Sequence, residues 1–512
     1  MVAKVLWSVL ASTGSTWATI GSLQNALLKK GIRLSLEDLK KEQKLFFHED
    51  YVTLKRINKE EDDIAINALR LLFMPKLEKQ ITPAISNEEI NRLIEKFENE
   101  ENKGFKLHFH QKDAVRMVVR NYFSIVTGGP GTGKTTVLSC ITYVLRHIDK
   151  KTRIVFTAPT GKAARRISES TGEYANTTHK EFGITPENDT TFEFEGDVLF
   201  IDEISMLDNE TLSKVLKACQ TGKRVVLVGD IQQLPSVGIG ACLRDLIRSK
   251  CIPTTMLTHT FRQDNSSKLF SNIENIKKGS AEIIEGEDYH AYQIDDHMEY
   301  KEAENEAFKY IRTIYRQEVE KYGVENVVVL LPYKVKGLCS NRVTVRLQSI
   351  ANRKDSSEKC IKRTNSDNLD IFFTKDDYVM QLENRTECAN GEIGKIIEVK
   401  PDGLIVEYGT TQVEYSISEL DQIMLAYSMT IHKSQGSEYK SVIMALLNEH
   451  EAMLKRNLLY TGITRAKKEC HLIYQQKAYE TSVKTIADAD RLTMLQKKLM
   501  KIRDQYKLVY GI

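Results

Sequence analysis

Apolar and polar positions follow three textures along this chain. From about residue 120 onward, short apolar, β-branched runs are separated by stretches with helical spacing. Ser124–Thr127, Arg153–Thr157, Val198–Ile201 and Arg224–Val228 form one set of runs; Val327–Leu331, Val442–Leu446 and Cys470–Tyr474 form a second. Strands alternating with helices predict parallel sheets covered by helices, so two sets predict two α/β sheets in one chain. Residues 345–424 read differently. Asp377–Gln381, Gly394–Val399, Leu404–Tyr408 and Gln412–Tyr415 are separated by Asn-Gly, Pro-Asp-Gly and Gly-Thr-Thr, the turn chemistry of hairpins. A small β-barrel inserted into the second sheet's domain is predicted. At the start, Leu23, Leu27, Leu28 and Ile32 recur at helical spacing. Ser35 before Glu37 and Asp38 caps a second helix. Leu45-Phe46-Phe47 and Tyr51–Leu54 flank His48-Glu49-Asp50 as a hairpin. Helices followed by a hairpin predict a winged-helix-like unit over 1–75. The charged, helical pattern of 59–102 predicts a strut, and 481–512 predicts a basic helical tail.

At 512 residues, 28% of them charged and 41% hydrophobic, the chain can bury several cores. Its net charge of only +3 confines any basic surface to a local patch. The eight cysteines form no C-x-x-C pair, which predicts buried free thiols and not a disulfide framework or structural zinc. No apolar run reaches about 18 residues, so no spanning helix is expected. Val5–Ala11 after Lys4 faintly mimics a signal peptide, but the nucleotide site below requires a cytoplasmic setting.

That site is announced by Gly128-Gly129-Pro130-Gly131-Thr132-Gly133-Lys134-Thr135, between a predicted strand and an apolar helix that opens through Thr136. The spacing is G-x-x-x-x-G-K-[ST] in its required context. Glycines let backbone N–H groups curl around phosphate oxygens, and the helix N-terminus adds partial positive charge. Lys134 is expected on the β- and γ-phosphates of ATP and Thr135 on Mg²⁺. The strand Val198–Ile201 delivers Asp202 to the Mg²⁺ shell and Glu203 to the attacking water. These residues predict an NTPase but leave open what the energy does. His432 has no second ligand at metal spacing, and His108 and His110 read as strand or loop residues.

From about His110 to Tyr474 the sequence resembles superfamily 1 helicases, particularly the RecD-like 5′-to-3′ group. Gln111 looks like the family's adenine-reading glutamine. Thr157–Ala164 and Thr177-Thr178-His179 resemble single-strand contact motifs; Val228-Gly229-Asp230 with Gln233–Gly238 resembles the motif whose glutamine senses the γ-phosphate and whose loop touches DNA. Thr260–Gln263 resembles the motif carrying an arginine to the γ-phosphate, here Arg262. Ala426–Glu438 and Leu459–Ala466 match the last two motifs, the latter with an arginine finger, Arg465. The resemblance implies Glu438 at the nucleotide. It implies Pro159, Thr160, Lys162, Thr178, His179, Pro235, Val237, Thr430, His432 and Lys433 at DNA, where hydroxyls and backbone N–H groups position a phosphate backbone.

The expected organisation is two RecA-like domains, 106–250 and 251–344 with 425–480, joined to the N-terminal unit by a linker at 76–105. The barrel at 345–424 resembles the family's SH3-like domain, with Asn390–Gly394 typical of it. Residues 183–196, where Phe192 and Phe194 alternate with Glu193 and Glu195, match in place a pin that splits duplexes, or are a plain connector. Residues 35–73 resemble the unit preceding the motor in longer RecD-like proteins, whose helix–hairpin–helix and OB-type regions have no room here. The expected partners are single-stranded and forked DNA, no membrane, and a protein at the N-terminal unit; a monomer is expected. A translocase that strips proteins without unwinding, or an ATP-gated DNA-binding module, stays open.

Overall fold

The computed structural model describes residues 1–77, 85–185, 191–261, 267–352, 359–365, 367–486 and 491–511. At the N-terminus, helices Val2–Thr13, Ile20–Leu28 and Leu36–Lys41 pack on a three-stranded antiparallel sheet of β1 (Ala18–Thr19), β2 (Leu45–His48) and β3 (Tyr51–Leu54), in the order β1-β3-β2. Ser35 caps its helix as expected, its Oγ accepting from Asp38 N at 3.1 Å. Leu6, Leu10, Leu23, Leu27 and Val52 form the core here, and Leu28 is left outside it.

The expected strut is a correction. The helix Lys55–Leu77 buries Ile64, Ala65, Ala68, Leu69 and Leu72 in the core of the first sheet. Its Arg70 donates to the Cys219 carbonyl at 2.5 Å, and its Arg56 pairs with Glu210 at 3.0 Å. The helix is a wall of the first sheet's domain, not a spacer.

The first sheet holds β4 (Phe123–Gly128), β5 (Ile154–Ala158), β6 (Ala175–Thr177), β7 (Val198–Ile201), β8 (Arg224–Gly229) and β9 (Thr254–Leu257). All pairings are parallel, in the order β6-β5-β7-β8-β4-β9. The expected boundary at 250 therefore moves past Leu257, because β9 pairs with β4. Every residue of β4 is buried, which suits a strand flanked on both edges and covered on both faces.

The second sheet runs β10-β21-β20-β11-β19, again parallel: β10 (Tyr289–Ile294), β11 (Val327–Leu331), β19 (Ser428–Thr430), β20 (Tyr439–Leu446) and β21 (Ala466–Gln475). Between β11 and β19 lie a hairpin of β12 (Cys360–Thr364) and β13 (Asp370–Thr374), and an antiparallel sheet ordered β17-β16-β15-β14-β18. Its strands are β14 (Tyr378–Gln381), β15 (Ile393–Val399), β16 (Gly403–Tyr408), β17 (Thr411–Ser416) and β18 (Ile423–Leu425). The expected insertion boundary at 345 falls inside the helix Ser340–Ala351, whose Val343, Thr344 and Leu347 are buried and whose Thr344 Oγ1 accepts from Ser428 N of β19. The inserted strands begin only after that helix.

The tail is also not free. The helix Leu495–Tyr510 returns to the first sheet and buries Leu495 and Leu499 there. Just before it, the Arg491 guanidinium donates to the carbonyls of Ser236 (2.8 Å), Gly238 (3.3 Å) and Gly240 (2.6 Å). Seven cysteines are buried as expected, and Cys360 is exposed. Residues 186–190 of the expected pin lie outside the described residues. Of its flanks, Phe194 is buried in the first core, while Phe192 is 62% exposed and donates its N–H to the Phe182 carbonyl.

Candidate nucleotide and nucleic-acid site

The loop after β4 is built so that only glycine fits at two positions. A Cβ on Gly128 would meet Thr132 Oγ1 at 2.7 Å, and one on Gly133, at φ +74°, would meet Gln111 Nε2 at 2.4 Å. Thr132 Oγ1 donates to the Gly129 carbonyl at 2.8 Å and Lys134 Nζ to the carbonyls of Gly128 (2.8 Å) and Gly129 (3.0 Å). The helix Lys134–Ile148 starts at this loop. Gln111 is buried and committed at both ends of its amide: Oε1 accepts from His108 N at 2.9 Å and Nε2 donates to the Thr132 carbonyl at 3.1 Å. It caps the helix Phe109–Arg120 together with His108, so His108 is the loop residue just before the helix, whereas His110 lies inside it and not in a strand or loop.

A cavity of about 320 Å³ opens beside this loop. Pro130, Gly131, Gly133, Lys134, Thr135 and Thr136 line one side, and Asp202, Glu203 and Gln233 the floor. Glu438 and Arg465 come from the second sheet's domain. Residues dispersed over more than three hundred positions thus share one space. Burial, and then the adjacent Glu203 carboxylate, raise the Asp202 carboxyl; Lys134 opposes them. Glu203 holds a left-handed backbone, φ 50°, rare for a side chain with a Cβ and characteristic of strained functional sites. Gln233 is buried, and its Oε1 has no hydrogen-bond partner among the described residues. Arg465 is buried too, with its donors on the Thr461 (3.0 Å) and Ser437 (3.2 Å) carbonyls and on no carboxylate among the described residues. An orphan acceptor, an unneutralised guanidinium and a Cβ-free cradle fit a phosphate-bearing nucleotide with a hard cation.

The same helix that precedes Arg465 grips the loop around Gln233. From Arg456–Ile463, Tyr460 OH donates to Asp230 Oδ2 at 2.7 Å, Asn457 Nδ2 to the Gln232 and Gln233 carbonyls at 3.1 Å, and Thr461 Oγ1 accepts from Leu234 N at 2.9 Å. Burial raises both the Asp230 carboxyl and the Tyr460 phenol. A shift of the second sheet's domain therefore moves Arg465 and the loop around Gln233 together.

The expected strand contacts divide. Val237 is 84% exposed, His179 is exposed, and Pro159, Thr160, Pro235, Thr430, His432 and Lys433 are half-buried. Thr178 is a correction: it is fully buried, so a strand could reach only its neighbours Thr177 and His179. Lys162 points into the interdomain cleft, its Nζ 5.4 Å from the Tyr439 ring centre, instead of onto an open face. Thr160 is spent partly on capping, its Oγ1 accepting from Ala163 N. Arg262 lies outside the described residues.

Two cationic groups escaped the sequence reading. Arg166 lines the nucleotide cavity and lies 3.5 Å from Glu438; the only signal was the Arg165-Arg166 pair one turn beyond the Gly161 helix start. Lys334, just past β11, stands close enough to Lys433 to help lower it. Burial, and then Lys334, push Lys433 down to about 8. If its ammonium holds a strand phosphate, binding must take up a proton once pH exceeds that value. Single-strand affinity should then fall as pH rises through 8, by up to about tenfold per pH unit at fixed ionic strength. The Lys433→Arg variant should lose that component, and an unchanged pH slope in it would detach Lys433 from the strand.

Comparison with known proteins places these residues in context. Residues 106–301 match the family described as an AAA domain, and 425–473 the UvrD-like helicase C-terminal domain. The chain is 29% identical over 376 residues to the ATP-dependent RecD2 DNA helicase of Deinococcus radiodurans, covering 73% of this chain and 50% of that one. It is 27% identical over 494 residues to the RecBCD enzyme subunit RecD of Haemophilus influenzae, covering 80% and 75%. The chain thus spans half the length of the Deinococcus relative. Among solved structures, Bacteroides Pif1 bound to ssDNA overlays with a TM-score of 0.45 at 18% identity, covering 73% of this chain and 94% of that one.

Proposed function

We propose that this homologue of the RecD-like helicases is an ATP-dependent DNA helicase that steps along single-stranded DNA, 5′ to 3′, and unwinds duplex. One observation carries the reading. A phosphate-binding loop, an Asp-Glu pair and a sensor glutamine from the first sheet share a cavity with Arg465 from the second. Such a cavity can tighten only when the two sheets approach, so nucleotide state is coupled to domain closure. Lys134 would bind the terminal phosphates, Thr135 and Asp202 would hold Mg²⁺, and Glu203 would orient and deprotonate the attacking water. The bound Mg²⁺ would neutralise developing phosphate charge. Gln233 would report the γ-phosphate to the 235–238 loop, whose exposed Val237 would meet the strand. His179, Thr430, His432 and Lys433 would make sequence-tolerant backbone contacts.

The order of elements in residues 1–54, with an antiparallel three-stranded sheet, supports a winged-helix unit, and the sheet β14–β18 supports an SH3-like barrel. Both could carry partner or fork contacts. Duplexes with a 5′ or a 3′ single-stranded tail test the assignment: ATP-dependent separation of the 5′-tailed substrate alone is expected. Strand-stimulated ATPase with streptavidin displacement but no unwinding would favour a translocase, and absent strand stimulation a binding module.

Residues 183–196 are proposed as the fork-splitting pin. Phe194 anchors one end in the first sheet's core. Replacing 186–190 by a short glycine linker should preserve strand-stimulated ATPase and collapse unwinding, most on GC-rich forks, since each base step costs roughly 1.4 kcal/mol to melt. Unwinding at the wild-type rate would make the segment a connector.

A further inference from the structure

At the outer edge of the second sheet the expected apolar packing gives way to a buried polar group. His290 on β10 and His471 on β21 are register partners, with rings 4.8 Å apart and 18° from parallel. Glu469, two residues before His471, shares its face. The helix Tyr300–Tyr322 covers that face and lowers Glu318 onto it. Glu318, Glu469 and His471 are all buried, whereas His290 is half-buried.

Their atoms converge at loose ion-pair distances. His471 Nε2 stands 3.5 Å from Glu318 Oε2 and 3.9 Å from Glu469 Oε2. Neither His471 Nε2 nor Glu318 Oε2 has a hydrogen-bond partner among the described residues. One ligand atom each from His290, Glu469 and His471 lies within 4.8 Å of the others. Buried orphan polar atoms are rare and require an explanation. The other atoms of His471 and Glu469 are already engaged: Tyr292 OH bonds His471 Nδ1 at 3.3 Å, and Lys321 and Tyr322 both donate to Glu469 Oε1. That leaves one nitrogen of His471 and one oxygen of Glu469 turned to the shared gap.

We propose that His290, Glu469 and His471 form a binding site for a divalent transition-metal ion of the zinc class, with the Glu318 carboxylate standing beside His471. Metal–ligand bonds of about 2.0–2.1 Å in a tetrahedron put ligand atoms about 3.4 Å apart. The 3.9 Å separation of His471 Nε2 and Glu469 Oε2 is longer than a hydrogen bond but near that edge. Two imidazoles and one carboxylate match the ion's borderline softness and leave a fourth position for water. Tyr292 on His471 and Lys321 on Glu469 are the outer partners that orient ligands. The ion would fasten edge strand β10 to β21. It does not touch the nucleotide.

The test uses the full chain, tag removed, stripped with chelator and dialysed into excess Mg²⁺ to fill the nucleotide site. Titration with Zn²⁺, followed by elemental analysis, should give one ion per chain. Co²⁺ in its place should give the visible absorption of a tetrahedral site with nitrogen ligands. His290→Gln, at the half-buried position, should weaken Zn²⁺ binding by at least about tenfold and abolish the rise in Tm that Zn²⁺ gives the wild type. Asp202→Asn should leave Zn²⁺ binding unchanged. Absence of stoichiometric Zn²⁺, or binding equally tight in His290→Gln, would overturn the proposal and leave His471 as a buried histidine packed between Glu318 and Glu469.

Discussion

Arg465→Ala is expected to slow strand-stimulated ATP turnover by about 10³-fold or more while nucleotide affinity changes only a few-fold. The reasoning is electrostatic. In the structure the guanidinium is buried, lines the cavity from the second domain and, among the described residues, bonds only carbonyls and a hydroxyl. Burial lowers its pKa, with Glu203 and Glu438 acting in the other direction. A buried cation without a carboxylate partner gains most when negative charge develops in front of it, which happens as the γ-phosphoryl bond breaks. Little of that gain exists in the ground state, so binding should survive. Because alanine also empties a packed site, Arg465→Lys is the companion: it retains charge but loses the planar fork and should still lose most of the rate. Stopped-flow nucleotide binding alongside single-turnover hydrolysis separates the two effects. If Arg465→Ala turned over within tenfold of wild type, the finger would have to be another residue.

Glu203→Gln carries the second large effect. The acid sits at the end of β7, lines the cavity and holds a left-handed backbone. A glutamine preserves shape and the capacity to hydrogen-bond water but cannot accept its proton, and loss of a general base costs about 10²–10⁴-fold. ATP should therefore bind, persist and trap the closed state, with single strands held tightly. Glu203→Gly separates chemistry from strain: glycine adopts the positive φ without penalty, so this variant should be inactive yet at least as resistant to heat as the glutamine. Equal loss of ATP binding in Glu203→Gln would mean that the carboxylate shapes the site and does not act on water.

The nucleotide half of the site was legible because its chemistry leaves little choice of residue. Phosphate demands glycines at fixed intervals, and the buried strands on either side are unbroken apolar runs. β6, β9 and β10 were not legible. Tyr289–Ile294 reads Tyr-His-Ala-Tyr-Gln-Ile, and Thr254–Leu257 keeps only Leu257 fully buried; such edge or short strands carry no strong period. The helix Lys55–Leu77 did carry one, at Ile64, Ala65, Ala68, Leu69 and Leu72, but its dense charge suggested a solvated strut. Gln111 shows a different limit. Its place upstream of the loop was clear, yet the same side chain serves a helix cap, which spacing alone does not reveal. Arg166 and Lys334 acquire meaning only once another element is folded against them.

The return of the chain to the first sheet limits how the motor can move. The second domain is reached after Leu257, and the polypeptide comes back where Arg491 seizes three carbonyls of the 236–240 loop. A body attached at one point can swivel in any direction, but one attached at two separate points keeps chiefly the rotation about the line that joins them. Closure over the nucleotide should thus resemble a gate on a fixed axle, with the reach of each stroke set by the distance of the strand-facing loops from that axle.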